Sequence, residues 1–205
     1  MSPAPGVGAA PPVAGASPAQ PTSQASPVPR AHWDTQQLAT MALFTAIGAV
    51  LSLLEIPLLG TTLKLDIANV PAIIGGLAFG PGAGCLIGII THLIHALIYA
   101  DFVGALMNIA SVITFVLPAA LLYRRFKKTV GLIAGLAVGA VVSFVVVVPL
   151  NFVVWPLLMG SSIEAVVGMM AVFIIPLNAA KGIGCSILVF VLFKSLGRLL
   201  TQNAR

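Results

Sequence analysis

The chain has 205 residues, of which 59% are hydrophobic and only 7% charged, with a mean hydropathy of +1.10. Soluble domains carry about a quarter of their residues as charges, so this composition excludes one and describes an integral membrane protein. The formal charge of +5 requires no nucleic-acid partner. Arg124, Arg125, Lys127, Lys128, Lys194 and Arg198 are the basic flanks that a membrane protein keeps on its cytoplasmic side.

Met1 to Arg30 is rich in Pro, Ala, Ser and Gly and carries no charge before Arg30. Such a stretch buries too little apolar side chain to offset its ordering entropy. Residues 1–36 are therefore expected as a disordered cytoplasmic tail, 37–198 as a six-helix transmembrane domain, and 199–205 as a second cytoplasmic tail. The tail lacks the basic start and apolar run of a signal peptide.

The first predicted span runs from Gln37 to Leu58 and places Ala42 and Ala46 four residues apart. Small residues at that interval let another helix approach closely, which makes this face a candidate docking surface. The alternating, charged stretch Leu59–Asn69 reads as an extended loop. A short apolar segment, Val70–Phe79, begins beside Pro71, a favourable first-turn residue, and stops at the turn signal Gly80-Pro81-Gly82. Further spans are expected over Ala83–Ala100, Phe102–Tyr123, Gly131–Leu158 and Val166–Leu196. The second segment is too short to cross without help.

The charges fix one orientation for these six spans. Both basic clusters belong inside, so both termini are cytoplasmic, while the loops around Lys64/Asp66, Asp101 and Glu164 face out. Four of the five acidic residues then lie at the outer face and eight of the ten basic residues inside.

Within the last span, Asn178 and Lys181 are three residues apart and share a helix face. A lysine at mid-membrane costs roughly 3 kcal/mol unless it is paired, hydrated or bound. Pro176 removes a backbone donor and predicts a kink one turn before Asn178. Asn151, Asn108, His92 and His95 fall at similar depth in the outer half of the membrane, by their distance from the outer helix ends. Convergent polar groups inside an apolar shell describe a small-molecule site open to the outside. Taken singly, each asparagine reads more simply as an interhelical hydrogen bond, whereas Lys181 lies too far from either membrane surface to reach it easily.

No G-x-x-x-x-G-K-[ST] occurs, so the chain does not itself use ATP. No internal repeat of the alternating-access type stands out, and no nucleophilic triad or carboxylate pair supports an enzyme. His92-x-x-His95 has metal-ligand spacing but no acidic partner close in sequence. Cys85 and Cys185 form neither a metal motif nor a disulfide framework and read as small core residues.

The stretch Leu63 to Gly84 (LKLDIANVPAIIGGLAFGPGAG), Asn151 in Pro-Leu-Asn-Phe, and Ile175 to Gly182 (IPLNAAKG) resemble the substrate-binding S component of energy-coupling factor (ECF) vitamin transporters, most closely its riboflavin-specific type. The resemblance spans Ala39 to Leu196. It implies an all-α fold of six transmembrane helices, no catalytic activity and no cofactor. Riboflavin is the implied transported ligand, and ATP is used only by partner subunits. It further implies plasma-membrane location and docking onto a transmembrane coupling protein with two ABC ATPases, through the face carrying Ala42 and Ala46. Ligand contacts are implied at Asn151, Asn178 and Lys181, beneath the loop Leu63–Asn69 that includes Asp66 and Asn69. Asn108 and His92 complete the candidate set from their depth. A lysine and an asparagine amide suit the carbonyl, N–H, carbonyl edge of an isoalloxazine. Departures from the family pattern fall at Gly88, Thr91 and Ala105, where riboflavin-type members are often charged. The same architecture with another water-soluble vitamin or flavin-like ligand is the alternative. A membrane enzyme or metal-handling protein built on His92, His95 and Asp101 is a further one.

Overall fold

A computed structural model describes residues 1, 33–53, 56–57, 64–65, 67–160 and 162–202. Helix α1 (Thr35–Leu53) starts under a side-chain cap, with Thr35 N–H donating to Asp34 Oδ1 at 2.8 Å. It ends short of the expected Leu58. Pro57 lies just beyond, and the residue before a proline is pushed towards extended backbone. Ile56–Pro57 (β1) indeed pairs antiparallel with Lys64–Leu65 (β2), Ile56 opposite Leu65 and Pro57 opposite Lys64. Apart from that two-residue pairing, the regular structure of the described residues is helical. Leu63 and Asp66 lie outside the described residues.

Helix α2 (Asn69–Phe79) has 11 residues, about 16 Å of rise, far less than the roughly 30 Å of a bilayer's hydrocarbon core. Its residues Asn69 to Leu77 are all buried, so protein rather than lipid surrounds it. The following turn is tighter than the expected Gly80–Gly82. Gly80 alone makes it, at φ 107°, and Pro81 is already the first residue of α3 (Pro81–Tyr99). A proline there loses no hydrogen bond, because the first helical N–H groups have no partner in any case. Ala100 ends α3 in the left-handed region. Asp101 then caps α4 (Phe102–Phe126), its Oδ1 accepting from Gly104 N–H at 2.8 Å.

Helix α5 (Thr129–Met159) runs antiparallel to α4, and the two approach closely along one stripe. A methyl group on Gly135 would sit 2.7 Å from the carbonyl oxygen of Ala119, and one on Gly139 2.7 Å from that of Phe115. One turn further, Ser143 and Ser111 meet with their hydroxyl oxygens 3.1 Å apart. Lipid tails are as apolar as leucine, so close packing and interhelical hydrogen bonds, rather than burial from water, hold such helices together.

The last crossing was expected as a single kinked helix over Val166–Leu196. It is α6 (Ile163–Met169), a π turn (Met170–Ile174) and α7 (Ile175–Gln202) in direct succession. The π turn falls where Pro176 offers no N–H to the preceding turn. Ile175 N–H bonds the Met170 carbonyl five residues back, and Asn178 Nδ2 donates to Ile174 O at 2.8 Å. Among the described residues five helices, α1, α3, α4, α5 and the α7 segment, are long and apolar enough to cross a membrane, and α2 is the shorter sixth. The core between them gathers Ile73, Ile87, Val112, Val116, Leu136 and Val189, while Leu97, Val130, Val145 and Leu157 point outward as lipid contacts would.

Candidate ligand-binding site

A narrow cleft, with room for about one water molecule, lies where four helices converge. Helix α2 contributes Asn69 at its first residue. Helix α4 contributes Ser111 and Phe115, and α5 contributes Ala140, Ser143 and Phe144. Helix α7 contributes Asn178, Lys181, Gly182 and Cys185. Amides, hydroxyls and one ammonium thus meet two phenyl rings in a shell that is otherwise aliphatic. That is the mixture with which small-molecule pockets fix the orientation of a ligand.

Lys181 does not reach for a membrane surface. Its Nζ donates to Asn108 Oδ1 at 2.7 Å, across from α7 to α4. This short charge-assisted bond holds the ammonium at the depth of the cleft. Asn178, one turn earlier on the same face, spends its Nδ2 on the Ile174 carbonyl. Its Oδ1 remains as an acceptor beside the lysine.

The other expected residues take separate places. Asn151 is buried on α5, two turns beyond Phe144 and on the side of Val147. Its Nδ2 donates to Val147 O at 2.7 Å and its Oδ1 accepts from Trp155 Nε1 at 3.1 Å. It does not line the cleft. His92 is buried behind α2, with Nε2 2.8 Å from Asn69 Oδ1, and so reaches the cleft only through Asn69. His95 packs its ring against Tyr99 at 4.8 Å, and Asp101 is occupied as the cap of α4. Among the described residues no group of three His, Cys, Asp or Glu side chains is placed to hold a metal ion. Ala42 and Ala46 lie on the exposed side of α1, opposite its buried Met41, Gly48 and Ser52.

Sequence reading missed Ser111, Ser143, Phe115 and Phe144. Gly135, Gly139 and Ser143 at four-residue intervals were the available signal, because a small-residue stripe marks where a second helix must come close. Nothing in the sequence pairs Ser143 with Ser111, or Asn69 with His92, since those meetings depend on helix packing.

A bundle of membrane-length helices that gathers amides, hydroxyls and an ammonium around a cleft is the architecture of a membrane-embedded solute-binding protein. The family profile described as "ECF transporter, substrate-specific component" matches residues 36–193, and the chain belongs to that family. It is therefore the binding component of a transporter and not an enzyme. Among curated relatives, the riboflavin transporter RibU of Staphylococcus aureus is 32% identical over 82% of this chain and 93% of its own length. The riboflavin transporter FmnP of Bacillus subtilis is 29% identical over 82% of this chain and 95% of its own. A solved S component of a bacterial ECF transporter superposes with a TM-score of 0.70 at 33% identity, covering 80% of this chain and 97% of that one. The ThiT structure from Listeria monocytogenes, at 17% identity and a TM-score of 0.57, shares the fold.

Proposed function

We propose that this chain is the riboflavin-binding subunit of an ECF-type uptake transporter in the plasma membrane. It captures the vitamin from outside and docks onto a transmembrane coupling protein that carries two ABC ATPases. The observation that carries the reading is the Lys181–Asn108 bond of 2.7 Å beside Asn178, on the wall of the cleft. An ammonium donor and an amide oxygen acceptor next to each other match a carbonyl and the adjacent N–H of the isoalloxazine pyrimidine edge. Phe115 and Phe144 supply apolar ring faces against which a flat tricycle packs. The cleft is narrow, so ring entry requires side chains lining it to turn aside. The names of the two curated relatives point to the same ligand.

In this reading both termini are cytoplasmic and the Leu63–Asn69 segment, Asp66 included, lies over the outer mouth. Asn151, outside the cleft here, engages ligand by exchanging its Trp155 contact. Ala42 and Ala46 form the docking face. The test is direct binding by purified protein. Riboflavin fluorescence quenched at one equivalent supports the proposal, and quenching by no flavin but stabilisation by another vitamin refutes it.

A further inference from the structure

Asn69 is 3% exposed and forms part of the cleft wall, yet its amide makes a single hydrogen bond, to His92. The contact is Nε2 to Oδ1 at 2.8 Å, and an amide oxygen only accepts. In this amide orientation His92 donates from Nε2. His92 is itself 1% exposed and does not line the cleft. With its oxygen held from behind, Asn69 has only its NH2 left to offer. That group has no protein partner among the described residues.

We infer that Asn69 donates to a carbonyl-type acceptor of the bound ligand, and that His92 is the positioning residue that locks the Asn69 amide in the donor orientation. This rests on the reading of the cleft as a flavin site, and it adds a contact to it. Asn178 has one N–H committed to the backbone and its Oδ1 left to accept, while Lys181 presents donors. One ligand edge of carbonyl, N–H, carbonyl needs a donor, an acceptor and a second donor. Lys181 and Asn178 supply the first two, and Asn69 supplies the third. A freely rotating asparagine would accept a ligand with the opposite pattern equally well. The His92 lock makes the site reject it, because a ligand N–H at that point would face the Asn69 N–H.

The experiment uses the full chain purified in detergent, with riboflavin as probe and fluorescence quenching as readout. His92→Leu and Asn69→Ala should each weaken binding roughly three- to tenfold, the loss of about one neutral hydrogen bond. The double variant should be no weaker than Asn69→Ala alone, and His92→Gln, which retains an N–H donor, should recover most of the loss. A His92→Leu penalty that persists in full in the Asn69→Ala background would overturn the inference. Nitrogen NMR of histidine-labelled wild-type protein decides it independently of any variant's folding. A neutral His92 protonated at Nε2 supports the lock, and one protonated at Nδ1 refutes it. A wild-type protein that leaves riboflavin fluorescence unchanged overturns the flavin reading instead, and the tautomer then decides the orientation of Asn69 alone.

Discussion

Replacing Lys181 by methionine keeps the length of the side chain and removes its charge. If the ammonium donates to a flavin carbonyl, the change deletes a charge-assisted hydrogen bond worth roughly 1.5–3 kcal/mol. Affinity should fall about ten- to a hundredfold. Two effects on folding oppose each other. Removing an intramembrane charge relieves an insertion cost of roughly 3 kcal/mol. Losing the 2.7 Å bond leaves Asn108 Oδ1 without that donor, at a cost of about 1–3 kcal/mol. Thermal unfolding should therefore shift little while binding collapses. Asn108→Leu separates anchor from contact: the ammonium stays but loses its tether, and affinity should fall less, by roughly three- to tenfold. The two substitutions together should be strongly non-additive, because Asn108 acts through Lys181. Fluorescence titration of purified variants measures all three. Wild-type affinity in Lys181→Met would show that this lysine is structural and that the site is wrongly placed.

Other consequences can be checked separately. Gly139→Leu should destabilise the protein by at least about 1–3 kcal/mol in thermal unfolding, because its Cβ would sit 2.7 Å from the Phe115 carbonyl oxygen, which cannot turn aside, and against the Phe115 ring as well. Thr91→Val should stabilise it by about 1 kcal/mol, since the fully buried Thr91 hydroxyl has no hydrogen-bond partner among the described residues. A cysteine at Thr62 or Ser161 should react with an impermeant thiol reagent from outside intact cells, and one at Thr129 should not; the reverse labelling would invert the topology. Leucine or tryptophan at both Ala42 and Ala46 should abolish uptake and leave binding by the purified subunit unchanged, and joint loss would make that face ordinary core.

The helices were legible because hydrophobic length and loop charge act locally along the chain. Their ends were less so, for particular reasons. Proline at 57 and 176 reshapes backbone several residues upstream, which ended α1 early and placed a π turn before Asn178. Proline at 81 instead entered its helix, so a turn expected to take three residues took one. Lys181 and Asn178 stood out as expensive groups in an apolar run, and the structure puts both on the cleft wall. Asn108 could be placed at their depth by counting turns, but its role as the lysine's tether could not. His92 was legible only as a polar residue at the right height. That it holds Asn69 depends on α2 packing against α3, which local pattern does not encode. The serines at 111 and 143 went unnoticed because a hydroxyl in a membrane helix commonly bonds its own backbone.

In the proposed function, riboflavin binds in the cleft between α2, α4, α5 and α7. Its most direct test is the identity and stoichiometry of the ligand bound to the full-length protein purified from cells grown with the vitamin. A yellow protein carrying close to one flavin per chain, released on denaturation and depleted in Lys181→Met, is the expected result. A colourless protein that neither retains riboflavin nor quenches its fluorescence on titration would contradict it.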